Sequence, residues 1–184
     1  MTFVRPKPLM FARSMAFSLD SLLFNKEKEK RAEFYNPLGL PLLCGMVIPD
    51  FQRGLVWSEA QQVKLIHSVW MGIPIGTYSV NFSTDPLPPR LTNILIDGQQ
   101  RINALRAYWD DEIAYQGYLW SQLSELDHRY FLRGSFPQMR TDSKDLGEVM
   151  RYYEVMNFGG TDHTQDDADM LAEAVRAAHR RGEV

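Results

Sequence analysis

Only one of the 184 residues is a cysteine, Cys44. A lone thiol excludes an intramolecular disulfide framework and any zinc site built on a cysteine cluster, and it fits a reducing, cytoplasmic setting. No run of apolar residues reaches the length that spans a bilayer, so no membrane association is expected. The opening MTFVRPKPLMFARSMAF lacks a continuous apolar core and a small-residue cleavage site, which argues against a signal peptide. There is no internal repeat and no low-complexity tract. The four histidines, His67, His128, His163 and His179, fall at no metal-ligand spacing. No Gly-x-Ser-x-Gly elbow, Walker loop or Gly-x-Gly-x-x-Gly fingerprint occurs, and no HNH or PD-ExK-like cluster. The net charge of −3 and pI near 5.8 exclude a chain whose whole surface binds a polyanion, while leaving room for a local basic cleft.

What is present is an ordinary globular composition, 45% hydrophobic and 23% charged, in a chain of one-domain length. The pattern is α+β with short strands. Residues 1–16 read as a flexible N-terminal arm, 17–165 as one folded domain and 166–184 as a C-terminal helix. The charge run KEKEKR at Lys26–Arg31 reads as a solvated helix face. Cys44 to Phe51 reads as a short strand, and Ser58-Glu-Ala-Gln61 as a capping box. The helix it opens carries Val63, Ile66, Val69 and Trp70 on one face, with His67 partly buried or on its flank, and stops at Gly72 and Pro74. Strands are expected over 77–82, 92–96 and 134–140, with helices over 99–109 and 143–156 and a short one from Ser121 or Ser124.

Three polar constellations interrupt this pattern. The hexapeptide IDGQQR, Ile96 to Arg101, sits where a buried strand passes into a helix. Orphan N–H groups at the helix start attract anions, Gly98 permits a sharp turn and close approach, and Arg101 offers a planar fork suited to phosphate. Gln99 and Gln100 add amide donors and acceptors. Asp97 would repel a bare phosphate, so it serves as a helix cap, an arginine partner or a ligand for phosphate-bound Mg²⁺. On these residues alone, a simple helix cap with an exposed Arg101 is an equal alternative. The second constellation, Phe51-Gln-Arg-Gly-Leu-Val-Trp57, places Gln52 and Arg53 at another strand end, with Trp57 as a packing residue. The third, Asn157-Phe-Gly-Gly-Thr161, reads by itself as a helix C-cap and turn.

In order along the chain, IPDFQRGLVW, a PIG turn, ILIDGQQRINAL and YYEVMNFGGT resemble the N-terminal domain of GmrSD-type restriction proteins, over about residues 17–165. The resemblance implies a ParB/sulfiredoxin-like fold: a small mixed sheet with flanking helices and a C-terminal helical segment. It also implies a nucleoside triphosphate with Mg²⁺ as cofactor, and an NTP hydrolase in a DNA restriction, modification or phage-defence context. DNA and a nuclease or effector subunit are the partners it suggests. Carried over residue by residue, it gives Asp97, Gln100 and Arg101 catalytic roles, with Asp97 also a metal ligand. Gln52, Arg53, Gly98, Gln99, Asn157, Gly159 and Gly160 then bind the nucleotide. Two alternatives stand beside it: a ParB-like DNA nuclease, and a non-catalytic, phage-type interaction or inhibitor protein acting on a host defence complex. Ile102-Asn103 departs mildly from the family's apolar-Thr pair, and DHTQDD after NFGGT is more polar than the family pattern.

Overall fold

The computed structural model describes residues 10, 12–31, 34, 36, 38–158 and 173. Among them run β1 (Arg13–Met15), α1 (Leu19–Lys30), β2 (Leu42–Leu43), β3 (Met46–Val47), α2 (Glu59–Trp70), β4 (Tyr78–Asn81), β5 (Ile94–Asp97), α3 (Gln99–Trp109), α4 (Glu125–Leu132), β6 (Gln138–Thr141) and α5 (Leu146–Phe158). The strands form one mixed sheet in the order β1-β6-β4-β5-β3-β2. β4 pairs antiparallel with β5 and parallel with β6, β3 runs parallel to β5, and antiparallel pairings close both edges. The fold is α+β, as expected from the sequence.

Helices cover both faces, and β5 shows why its sequence is apolar throughout. Successive side chains of a strand point to opposite faces. Leu95 therefore joins the core under α1, α2, α3 and α4, while Ile94 and Ile96 join a second core with Val149, Met150 and Tyr153 of α5. A strand buried on both faces needs no polar alternation. Asp97, two residues beyond Leu95, falls on the face of α2 and α3.

α2 begins at the expected box: Ser58 accepts from the Gln61 N–H, and the Gln61 side chain returns to the Ser58 N–H. A second box, Ser124 with Asp127, starts α4. Asn81 fastens the end of β4, donating to the carbonyls of Leu91 and Ser143 and accepting from Thr141 and the Ser143 amide.

Three expectations need correction. Arg13–Met15, assigned by sequence to the N-terminal arm, pair with Gln138–Arg140 of β6. The strand expected over Cys44–Phe51 is a tight hairpin instead, turning at Cys44 (φ 49°) and Gly45 (φ 79°). A two-residue turn with both residues left-handed matches the twist of the strands it joins, which the apolar run concealed. The charge run is not wholly solvated. Lys26 is buried, with its Nζ 2.6 Å from Asp110 Oδ1, because it shares the inner stripe of α1 with Leu19 and Leu22. Of the two places open to His67, partly buried or on the flank of its helix, it is not the buried one: the ring is exposed, with Nδ1 2.8 Å from the Tyr115 hydroxyl.

Candidate functional site

The IDGQQR segment is the turn from β5 into α3. Gly98 occupies the N-cap position of α3 with φ 100°. A Cβ built on it would lie 2.6 Å from the Cβ of Tyr78, so β4 leaves no room for any other residue. No side chain caps the first turn of α3. Asp97 therefore does not act as the cap. It pairs instead with Arg101, one helical turn on, at 2.7 Å from Oδ2 to Nη2. Both side chains are about a quarter exposed.

This pair fixes the guanidinium over the turn. Arg101 Nη1 faces Gly76, where a Cβ would come within 3.3 Å, so the glycine of the PIG turn keeps that approach open. Arg101 Nε is buried with no hydrogen-bond partner. A buried donor left without an acceptor is costly, and such groups call for explanation.

The two glutamine-bearing segments clasp each other. Gln52 Nε2 donates to the backbone carbonyls of Leu95 and Ile96, next to Asp97. In the opposite direction, Gln100 Oε1 accepts from the amides of Val56 (3.1 Å) and Trp57 (3.2 Å), and its Nε2 donates to the Gly54 carbonyl at 3.1 Å. Both amides are thereby committed to backbone. They position the 52–57 loop against the β5–α3 turn. Trp57 packs on the core beside α2, as its type implied.

The structure thus brings Gln52, Asp97, Gly98, Gln100 and Arg101 into one cluster, with the half-buried Gln99 in the first turn of α3 and the half-buried Arg53 following Gln52. Asn157 is not the terminating cap that the sequence suggested. It lies inside α5, where its Nδ2 donates to the Tyr153 carbonyl at 2.9 Å. Gly159 and Gly160 lie outside the described residues, as does the expected helix over 166–184 apart from Glu173. Sequence reasoning missed Gly76 and Tyr78 as members of the site. The PIG turn was the available signal for Gly76, and nothing local marked Tyr78.

Among the described residues, no group of three or more His, Cys, Asp or Glu side chains gathers as a metal site. No helix among them is long and apolar enough to cross a membrane. Chemically, the turn offers unsatisfied N–H groups, a held arginine with a spare donor, and one carboxylate.

A family model for the GmrSD restriction endonuclease N-terminal domain matches residues 22–135, more than half of the chain. The match takes in both clasped segments and ends before β6 and α5. No curated protein and no solved structure matches.

Proposed function

The chain belongs to the family of the GmrSD restriction endonuclease N-terminal domain, and from that premise we propose that it binds and hydrolyses a nucleoside triphosphate at the β5–α3 turn, in the service of DNA restriction. One observation carries this reading: α3 starts without a side-chain cap beside an arginine whose Nε has no partner. Free N–H groups and the positive end of the helix dipole favour an anion, and the orphan Nε–H needs an acceptor. Phosphate oxygens answer both needs. Gly76 supports the reading, because no side chain at that position screens the guanidinium.

The roles divide by what each side chain is free to do. Arg101 would hold the phosphates and stabilise the charge that moves onto them in the transition state. Asp97 orients that arginine. Mg²⁺ bound through phosphates asks the protein for only one or two carboxylates, and Asp97 is the acid in place; bound there, the ion would neutralise phosphate charge. Gln52 and Gln100 act as positioning residues, since their amides are taken up by backbone. Cutting DNA falls in this reading to a nuclease partner.

Calorimetric titration of ATP and GTP with Mg²⁺ tests the proposal. Arg101→Ala is expected to weaken binding about tenfold or more, the scale of a lost charge-assisted contact. Binding of neither nucleotide, or equal affinity in the variant, would overturn it. Phosphate release by Asp97→Asn, set against wild type, reads out the hydrolytic step.

A further inference from the structure

The net charge of −3 leaves room for a local basic patch, and the fold builds one on the edge strand β1. In the antiparallel ladder between β1 and β6, Arg13 stands directly opposite Arg140, and Met15 opposite Gln138. Side chains opposite one another share a face, with Cβ atoms about 5 Å apart, and like charges so placed repel. Among the described residues no carboxylate offsets the two arginines. Neither makes an ion pair, and the exposed Asp142, the nearest acid in sequence to Arg140, is not joined to it. The twelve residues before Arg13 add Arg5 and Lys7 and no acid.

Arg140 is no loose surface cation. Its guanidinium lies over the Phe82 ring, 4.3 Å from the centre, with the Phe17 ring at 6.0 Å. Nε and Nη2 both donate to Gln138 Oε1, at 3.0 and 2.7 Å. Gln138 is buried, and its own Nε2 donates to the buried Tyr78 hydroxyl at 3.1 Å, so the acceptor cannot swing away. The fork is held in one orientation, while Nη1 makes no hydrogen bond. Beside it, Arg13 is exposed, and its side chain makes none either. A guanidinium already fixed in place loses little freedom on meeting an anion, and its planar donors match phosphate.

We propose that Arg13 and Arg140 contact the phosphate backbone of DNA. Duplex DNA presents one negative charge per roughly 1.7 Å of helix axis, so two cations side by side both find phosphate oxygens on it. The chain's family is that of a restriction endonuclease domain, which makes DNA the polyanion at hand. Phosphate contacts carry no sequence information, so the patch holds and orients the duplex without reading its bases. From Tyr78, against the β5–α3 turn, to Phe82, beneath Arg140, is about 13 Å along β4. The patch is therefore separate from that turn, and its assignment rests on family membership and not on nucleotide binding there.

Fluorescence anisotropy tests this in the full chain, with two fluorescein-labelled duplexes of unrelated sequence in about 50 to 200 mM NaCl. Wild type is expected to bind both duplexes alike, the logarithm of its affinity falling linearly with the logarithm of salt concentration. Arg13→Gln and Arg140→Gln should each flatten that slope by about 1. Arg13 is exposed, so its variant tests the patch even if Arg140→Gln disturbs the fold. Phe82→Leu removes the ring beneath the fork but keeps both charges; affinity should fall about threefold with the slope intact. Lys64→Gln, which removes an exposed cation from α2, and Arg101→Ala should leave the slope unchanged. The proposal is overturned by no binding at the lowest salt, by slopes that the Arg13 and Arg140 variants do not alter, or by an equal change in Lys64→Gln or Arg101→Ala. Displacement of the duplex by poly-glutamate as efficiently as by unlabelled DNA would also overturn it, and would point to an acidic protein partner.

Discussion

The side chains of Gln52 and Gln100 cross. Gln52 reaches the carbonyls of Leu95 and Ile96 at the end of β5, and Gln100 reaches back to the backbone of Gly54, Val56 and Trp57. Two segments more than forty positions apart are thereby tied into one unit. The loop that carries Arg53 cannot shift without disturbing the turn that carries Asp97, Gly98 and Arg101.

The clasp predicts the behaviour of Gln100→Ala. Three backbone groups lose their partner, but Val56 and Gly54 are exposed, so water replaces much of what is lost. The expected destabilisation is about 1 kcal/mol. The sharper readout is local: amide exchange at Val56 and Trp57 should accelerate well beyond that of the β5 amides. Unchanged protection at both would mean that the loop is held by other contacts.

Gly98→Ala should be far more damaging than a glycine-to-alanine change on the surface. The new Cβ would lie 2.6 Å from the Tyr78 Cβ and 3.2 Å from its Cα, and the residue would have to keep φ 100°. Strained backbone and overpacking each cost about 1–3 kcal/mol. A urea titration should show a loss of about 2–4 kcal/mol. Gly54→Ala, where no atom lies within 4 Å of the built Cβ, is the neutral control.

Much of this fold was legible because it rests on local signals. The box at Ser58, the apolar run of β5 and the helical spacing of α3 each follow from sequence neighbours, and each stands where the pattern put it. The misreadings arise where a distant partner decides. KEKEKR looks solvated by itself, and only the C-terminal end of α3 supplies the Asp110 that draws Lys26 inside. Arg13–Met15 look loose until β6 offers an unpaired edge. At the site, IDGQQR announced a polar turn, but the sequence left three roles open for Asp97. Choosing among them required the geometry of α3, because a cap and an i,i+4 ion pair use the same residue types.

The Lys26–Asp110 contact predicts an acid-dependent loss of stability. Burial alone would raise the Asp110 carboxyl, but hydrogen bonds and charge from Lys26 and Lys30 outweigh it and hold the group below the usual carboxylate range. A carboxylate with a lowered folded pKa stabilises the fold above its unfolded value, about 3.9, and loses that contribution as pH falls through the folded value. Asp110→Asn should therefore cost about 2–3 kcal/mol near neutral pH, because Lys26 is left buried and less well paired. The gap between wild type and variant should hold down to about pH 4 and narrow below it. Chemical denaturation across that range measures it, and a gap independent of pH would contradict the ion pair.

Cys44 offers a probe of the hairpin between β2 and β3. Its side chain is buried in the main core, and burial pushes the thiol pKa well above its ordinary value. Reactivity follows the thiolate, so the native protein should resist a disulfide reagent at pH 8 that modifies the unfolded chain rapidly. Labelling should then proceed only as fast as the hairpin opens. Next to it, Glu29 Oε2 accepts the Gly45 amide at 2.7 Å and ties the turn to α1. Glu29→Ala removes that tie, together with a negative charge that helps burial hold the thiol up, and should raise the labelling rate at least about fivefold, the equivalent of one hydrogen bond of about 1 kcal/mol. An unchanged rate would show that Cys44 is exposed only by global unfolding, with the Glu29 contact contributing nothing to the stability of the turn.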